Sequence, residues 1–285
     1  MGIVLGPNQY GKAETRVVRI VRDTPRHEIR DLSVSTALRG DFTAAHVEGD
    51  QSQVLPTDTQ KNTAFAFAKS HGIASPEDYG LALARRLLEA APSATGATVR
   101  VEEYAWDRIL VDGVGHDHAF VRRGGEVRTT EVDVSTSGAQ VTSGIKDLVV
   151  LKSTGSEFKG FLRDEYTTLP DADDRILATS LAATWRYADA VERDWNAVHD
   201  DVRTLVLATF ATTYSRALQQ TLHAMGSAVL EAHGEIAEIS FSAPNKHHFL
   251  VDLEPFGLEN PGEVFIAADR PYGLIEATVC REDQG

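Results

Sequence analysis

Residues 215–253 read SRALQQTLHAMGSAVLEAHGEIAEISFSAPNKHHFLVDL, and this stretch decides the fold. Leu218, Leu222, Met225 and Val229 recur three or four residues apart, which puts them on one face of a helix over 215–233. That spacing is a core stripe and not a cofactor box. The pattern then changes to that of strands, at 236–242, 247–253 and 263–267, with Pro244 in the gap between the first two. Upstream, strands are expected over 139–153 and 176–187 and a helix over 194–212. Strands, two helices and strands again make up this half of the chain.

The first half repeats that order. Segments 14–22 and 28–39 alternate as a hairpin around Asp23-Thr24-Pro25-Arg26. A short helix is expected over 62–71 and a longer one from Ser75-Pro76-Glu77-Asp78, where Ser75 suits the N-cap and Pro76 the first helical position. Tyr79, Leu83 and Leu87 form its stripe, and it ends near Ala91-Pro92. Extended segments follow at 97–111, 116–123 and 126–135. The expectation is an α+β chain of two similar units, 1–137 and 138–285, each an antiparallel sheet with helices on one face. No low-complexity linker separates them. Sheets of this kind leave a face and their edges uncovered, which oligomerisation would close.

The chain has 285 residues, 25% of them charged and 42% apolar, as in ordinary globular proteins. Lys+Arg 28 against Asp+Glu 42 gives a net charge of -14, which argues against nucleic acid as a partner. No apolar run is long enough to span a bilayer. The start, MGIVLGPNQYGK, lacks the apolar region and cleavage site of a signal peptide, and a cytoplasmic location is expected. A lone Cys280 excludes an intrachain disulfide and a cysteine-based metal site.

The chemistry-bearing residues are sparse. Strand alternation puts Asn245 and His247 on one face and Lys246 and His248 on the other, so an amide and a base look into the same space. His116 and His118 share a face of another strand with a spacing that suits a metal, but no third ligand is identifiable and the expectation is no metal.

Tyr10-Gly11-Lys12, LPTDTQKNT at 55–63, LKSTGSEFKGFLRDEYTTLPDADDRIL at 151–177 and APNKHHFLVDL at 243–253 together resemble the urate oxidase (uricase) family, a tunnelling-fold family. The likeness runs from near the N-terminus to Gly273-Leu274-Ile275. It implies a tandem pair of ββααββ units, a homotetramer whose sheets close into a barrel, and active sites between subunits. It implies oxidation of urate by dioxygen and water to 5-hydroxyisourate and hydrogen peroxide, with no cofactor, because the urate dianion is electron-rich enough to reduce dioxygen by one-electron steps.

The same resemblance puts the base system on Lys12, Thr57 and His247 and substrate recognition on Thr57, Asp58, Phe158, Arg175, Gln219 and the backbone N–H of Leu218. Asn245 and Thr57 would hold dioxygen and then water. These residue types suit the task. A lysine works as a base near neutral pH when burial or a cationic neighbour depresses its pKa, and a threonine hydroxyl can relay the proton. A flat heterocyclic anion needs a stacking face, a planar cationic fork and an amide, which Phe158, Arg175 and Gln219 supply. The resemblance also places Thr57 and Asp58 at the site of a neighbouring subunit, opposite Lys12 of another.

Each residue also has a plainer reading: a solvated Lys12, a turn at Thr57-Asp58, a core Phe158, an Arg175 paired with Asp173 or Asp174, a solvent-facing Gln219. Departures from the family pattern are Leu218 in place of valine, Lys159 in place of a frequent tryptophan and His248 in place of tyrosine. Arg281-Glu282-Asp283-Gln284-Gly285 differs from the Ser-Lys-Leu peroxisomal ending of eukaryotic relatives, and a bacterial enzyme is expected. Two rivals fit less well. A tunnelling-fold cyclohydrolase would need a metal and a glutamate where Gln219 stands, and a non-catalytic urate-binding protein would not need Lys12, Thr57 and His247.

Overall fold

A computed structural model describes residues 2–282; the end of the C-terminal motif, 283–285, lies outside the described residues. The chain divides into two compact units, residues up to 144 with 186–199, and 145–185 with the residues from 200 on. The divisions fall inside single elements, and each unit is an antiparallel sheet with helices on one face.

In the first unit β1 (Tyr10–Val21) and β2 (Glu28–Gly40) form the expected hairpin. Then come α1 (Thr43–Val47), α2 (Thr57–Ser70), α3 (Pro76–Ala90), β3 (Ala94–Glu103), β4 (Trp106–Val111), β5 (Val114–Arg122) and β6 (Val127–Ser135). The sheet order is β1-β2-β3-β6, and β4 and β5 pair separately. Hence the single strand expected over 97–111 is two. The amide of Tyr104 makes a last bond to the Asp31 carbonyl before the chain turns out into β4.

α3 begins as its sequence dictates, with the Ser75 hydroxyl accepting from the Asp78 N–H at 3.0 Å and Pro76 following. Tyr79, Leu83 and Leu87 are fully buried. α2 begins at Thr57, five residues before the expected start at Asn62, because Pro56 (φ -54) is compatible with a helix entry and Asp58 places a negative charge in the first turn. α1 is a single turn with no buried residue, so no apolar periodicity announces it.

Fully buried Glu77 ties this unit together. Its Oε1 accepts from the hydroxyls of Thr130 at 3.0 Å and Ser143 at 2.6 Å, and its Oε2 from the Arg128 guanidinium at 2.7 Å. An amide cannot accept all three, so Glu77→Gln leaves one buried donor facing another. The expected result is a loss of about 1–3 kcal/mol in stability, read as a lower urea midpoint with an unchanged slope and unchanged steady-state constants.

The second unit contains the later part of β7 (Gly138–Lys152), most of β8 (Leu177–Tyr187), the later part of α4 (Trp195–Thr212), then α5 (Leu218–Ala232), β9 (Ile236–Leu250) and β10 (Phe265–Cys280). α5 buries Leu218, Leu222, Met225 and Val229 as its spacing predicts. It packs close to β10 because residue 226 is glycine, where a Cβ would sit 2.5 Å from Cγ2 of Val279.

β9 is one strand where two were expected. Proline lacks one N–H but its φ is compatible with a strand, and Pro244 sits in register with Leu274. β10 is longer than the expected 263–267 and includes the strand-like ending up to Cys280. Its pairing with β9 is interrupted: Asn245 faces Gly273 and His247 faces Ala268, so residues 269–272 bulge opposite Lys246. Bulges of this kind re-aim neighbouring side chains and favour functional sites.

Candidate functional site

Most of the expected residues lie in the second unit, gathered by a short strut. Ser156 and Ser215 form a parallel bridge. The Glu157 N–H donates to the Ser215 carbonyl at 2.8 Å, and the Ser215 N–H donates to the Gly155 carbonyl at 2.9 Å. On its other side Phe158 exchanges two backbone bonds with Ala172, and the Arg175 N–H donates to the Ser156 carbonyl at 2.7 Å. Thus Phe158, Arg175 and the segment leading into Leu218 and Gln219 are fixed to one another by backbone, not by side-chain contact alone.

Phe158 is half-buried, stacked on Phe161 at 4.9 Å between centroids and 14° between planes, and the Arg175 guanidinium carbon lies 5.1 Å from its ring centre. Burial pulls the pKa of Arg175 down. Its Nε is buried without a hydrogen-bond partner. The carboxylates that sequence offers it are engaged elsewhere: Asp173 with the Lys159 ammonium at 2.7 Å, Asp174 with backbone N–H groups and the Thr154 hydroxyl. A half-buried guanidinium with no carboxylate partner is incomplete without an anion.

α5 begins at Leu218 with Ala217 as N-cap, no side-chain cap and no acid in its first turn. Its leading N–H groups and dipole are therefore open to an anion. The helix C-terminus is pinned beside the start of β9, because the Arg281 guanidinium donates to the carbonyls of Leu230, His233 and Ile236. Fifteen residues of helix span about 22 Å, and about seven strand residues cover the same distance along β9. The first turn of α5 is thus level with Ala243. Asn245 and His247, on the same strand face as buried Phe241 and Ala243, extend past the helix and are half-buried. His247 stacks on Phe249 at 5.9 Å between centroids.

The first unit holds Lys12, Thr57 and Asp58. Lys12 sits opposite Thr36 on the helix-bearing side of β1, and its N–H donates to the Thr36 hydroxyl at 3.3 Å. That hydroxyl donates to Oε1 of fully buried Gln60 at 2.7 Å, which fastens β2, and through it Lys12 of β1, to the first turns of α2. No motif names this pair, although a threonine among the inward-facing Leu32, Val34 and Leu38 breaks the apolar pattern and signals a polar partner.

Thr57 is the first residue of α2, half-buried beside a mostly apolar cavity of about 590 Å³ lined by Tyr10, Phe42, Val54 and Pro56. Asp58 accepts from Lys61 and, at 3.0 Å, from Asn62, and its carboxyl is held below the usual range by Lys61 first, with a smaller contribution from Lys12. Lys12 and the Thr57-Asp58 turn therefore approach within one chain. The hairpin and α2 pack together within this unit, whereas the resemblance sets LPTDTQKNT opposite Lys12 of a different subunit.

His116 and His118 lie with ring centroids 4.5 Å apart, and His27 is 5.8 Å from His118. Among the described residues no group of three or more His, Cys, Asp or Glu is placed to hold a metal ion.

The sequence pattern of the Uricase family matches residues 8–133 and 141–276. The chain is 56% identical to the uricase of Arthrobacter globiformis over 280 residues, covering 98% of this chain and 91% of that protein. It is 38% identical to the uricase of Danio rerio over 282 residues, 96% of this chain and 93% of that one. The crystal structure of the Arthrobacter globiformis uricase superposes with a TM-score of 0.95 at 55% identity, covering 100% of this chain and 97% of that one. That of a uricase from Bacillus fastidious gives 0.82 at 27% identity, with 96% and 93% covered.

Proposed function

This chain belongs to the uricase family and is a urate oxidase with the tandem tunnelling fold, and from that premise we propose which side chains carry the reaction. Urate loses two electrons and dioxygen gains them to become hydrogen peroxide, while water adds its hydroxyl to the purine to give 5-hydroxyisourate. The electrons come from the deprotonated purine itself, and the protein's part is to make that anion, hold both reactants and exclude bulk water. No cofactor enters this scheme.

Phe158 stacks on the purine. Arg175 grips one edge as a fork, and the Gln219 amide with the Leu218 N–H reads the other. Lys12, Thr57 and His247 form the proton path, Asp58 flanks the substrate, and Asn245 with Thr57 holds dioxygen and then water above the ring. The observation that carries this reading is the half-buried Arg175 beside the face of Phe158, with no carboxylate among the described residues paired with it.

We further propose that two subunits complete each site in a homotetramer whose sheets close into a barrel, one chain giving Lys12, Thr57 and Asp58 as a set and its neighbour the rest. Element order supports the repeat division at 137/138, since two strands, helices and two strands precede Gly138 and the same succession follows it, with β4 and β5 inserted in the first. Cytoplasmic placement agrees with a bacterial relative and with the absence of a membrane-crossing helix among the described residues.

Mixed oligomers test the shared site. Thr57→Ala and His247→Ala chains, each inactive alone, should regain activity when dissociated and refolded together, with roughly one site in four complete on random pairing. Lys12→Ala with Thr57→Ala should regain none, because both lesions fall in the set that one chain donates. A fully active monomer in sedimentation, or silence in verified Thr57→Ala/His247→Ala hybrids, overturns the arrangement.

A further inference from the structure

We propose that Asp174 is a positioning residue for urate binding: its carboxylate fastens the loop carrying Phe158 to the start of β8, so that the stacking face and the Arg175 fork are held in one arrangement and the guanidinium stays free for the substrate. This rests on Phe158 and Arg175 being the urate grip.

Asp174 lies next to Arg175 in sequence, yet it does not form an ion pair with that side chain. Its Oδ1 accepts from two backbone groups, the Ser156 N–H at 3.1 Å and the Arg175 N–H at 3.0 Å, and its Oδ2 accepts from the Thr154 hydroxyl at 2.5 Å. The Gly155 N–H also faces it. One exposed carboxylate thereby gathers donors from both sides of the loop whose intervening residues, 157–173, carry Phe158. With all these bonds in place its pKa is lowered, the Thr154 hydroxyl contributing most.

The same carboxylate faces Lys152, whose ammonium donates to the Thr213 carbonyl and lies 5.6 Å from the Phe210 ring centre. Thr213 follows the last residue of α4, on the segment that leads through Ser215 into α5. Asp174 and Lys152 therefore tie the Phe158 loop and the entry to Leu218 and Gln219 to the ends of β7 and β8. A carboxylate that is spent on backbone is also withdrawn from the neighbouring guanidinium. If it swung onto Arg175 instead, the fork would be filled and the loop released.

The prediction separates binding from chemistry, because Lys12, Thr57 and His247 do not depend on this loop. Asp174→Ala should raise KM for urate and Kd for xanthine, used as an unreacting purine, by about 10–100-fold, the range that a displacement of about 1 Å produces. Its kcat should stay within about 3-fold. Asp174→Asn keeps one oxygen for the two backbone N–H groups, and its amide can donate to a rotated Thr154 hydroxyl, so it should recover most of the binding.

Equal loss of kcat and affinity in Asp174→Ala with no rescue by asparagine would mean general damage to the fold and overturn the proposal. Unchanged constants in Asp174→Ala would overturn it too. Tighter xanthine binding by Asp174→Asn would show that the charge, and not the anchoring, is what matters, and is equally fatal. If Asp174→Ala fails to fold, Thr154→Val removes one anchor bond and should shift KM in the same direction by a smaller factor; no shift overturns the proposal. Arg175→Ala, measured alongside, distinguishes the premise: if it leaves xanthine binding intact, the urate grip itself is misplaced.

Discussion

Lys12→Ala and the double variant Lys12→Ala/His247→Ala are expected to lose turnover by the same factor, about 10²–10⁴. A proton path works as a unit, and the first break disables it, so the second removal has nothing left to remove. The geometry makes Lys12 a fixed participant. It is held at the helix-bearing side of β1 by the Thr36–Gln60 connection, close enough to Asp58 for its charge to be felt there. His247 projects past the first turn of α5 and pairs with Ala268 at the edge of the bulge in β10. Xanthine binding should survive in both variants, since neither residue belongs to the stacking face or the fork. The check is kcat from the loss of urate absorbance, with Kd for xanthine measured separately. A double variant that loses the product of two single losses would mean two independent roles.

Local signals gave the elements whose causes are local. Ser75, Pro76 and the Tyr79–Leu83–Leu87 stripe announce α3, and the Leu218–Val229 stripe announces α5, because caps and helical periodicity are properties of neighbouring residues. What was illegible depends on partners distant in sequence. The bulge at 269–272 exists only in the register of β10 against β9, yet it lies between the partners of Asn245 and His247. The unbroken run of β9 through Pro244 depends on the same pairing.

The site follows the same rule. The motifs name Phe158 and Arg175, but Asp173 and Asp174 stand as ready partners for the guanidinium in sequence, and only the fold commits them to Lys159 and to backbone. Likewise, the spacing of LPTDTQKNT from Lys12 is silent on whether they meet within one chain. The packing of α2 against β1 brings them near each other within one chain, through Thr36, Gln60 and the charge of Asp58.

Arg175→Ala is expected to weaken urate and xanthine binding by about 2–5 kcal/mol, because it removes the charged partner of an anion that has left water. The protein state before binding explains why so much is at stake. Burial already disfavours the Arg175 charge, its Nε lacks a partner, and among the described residues no carboxylate forms an ion pair with it. The substrate supplies what the fold withholds, and two parallel bonds to a planar edge do so better than one. Arg175→Lys restores the charge but offers a compact ammonium in place of the fork, and at this position over the Phe158 ring it should recover little of the loss. Salt sharpens the test: screening acts weakly on a buried pair, so the difference between wild type and Arg175→Ala should persist at high ionic strength. Normal urate affinity in Arg175→Lys would reduce the contact to a single charge attraction, and the two-bond role assigned to the guanidinium would be wrong.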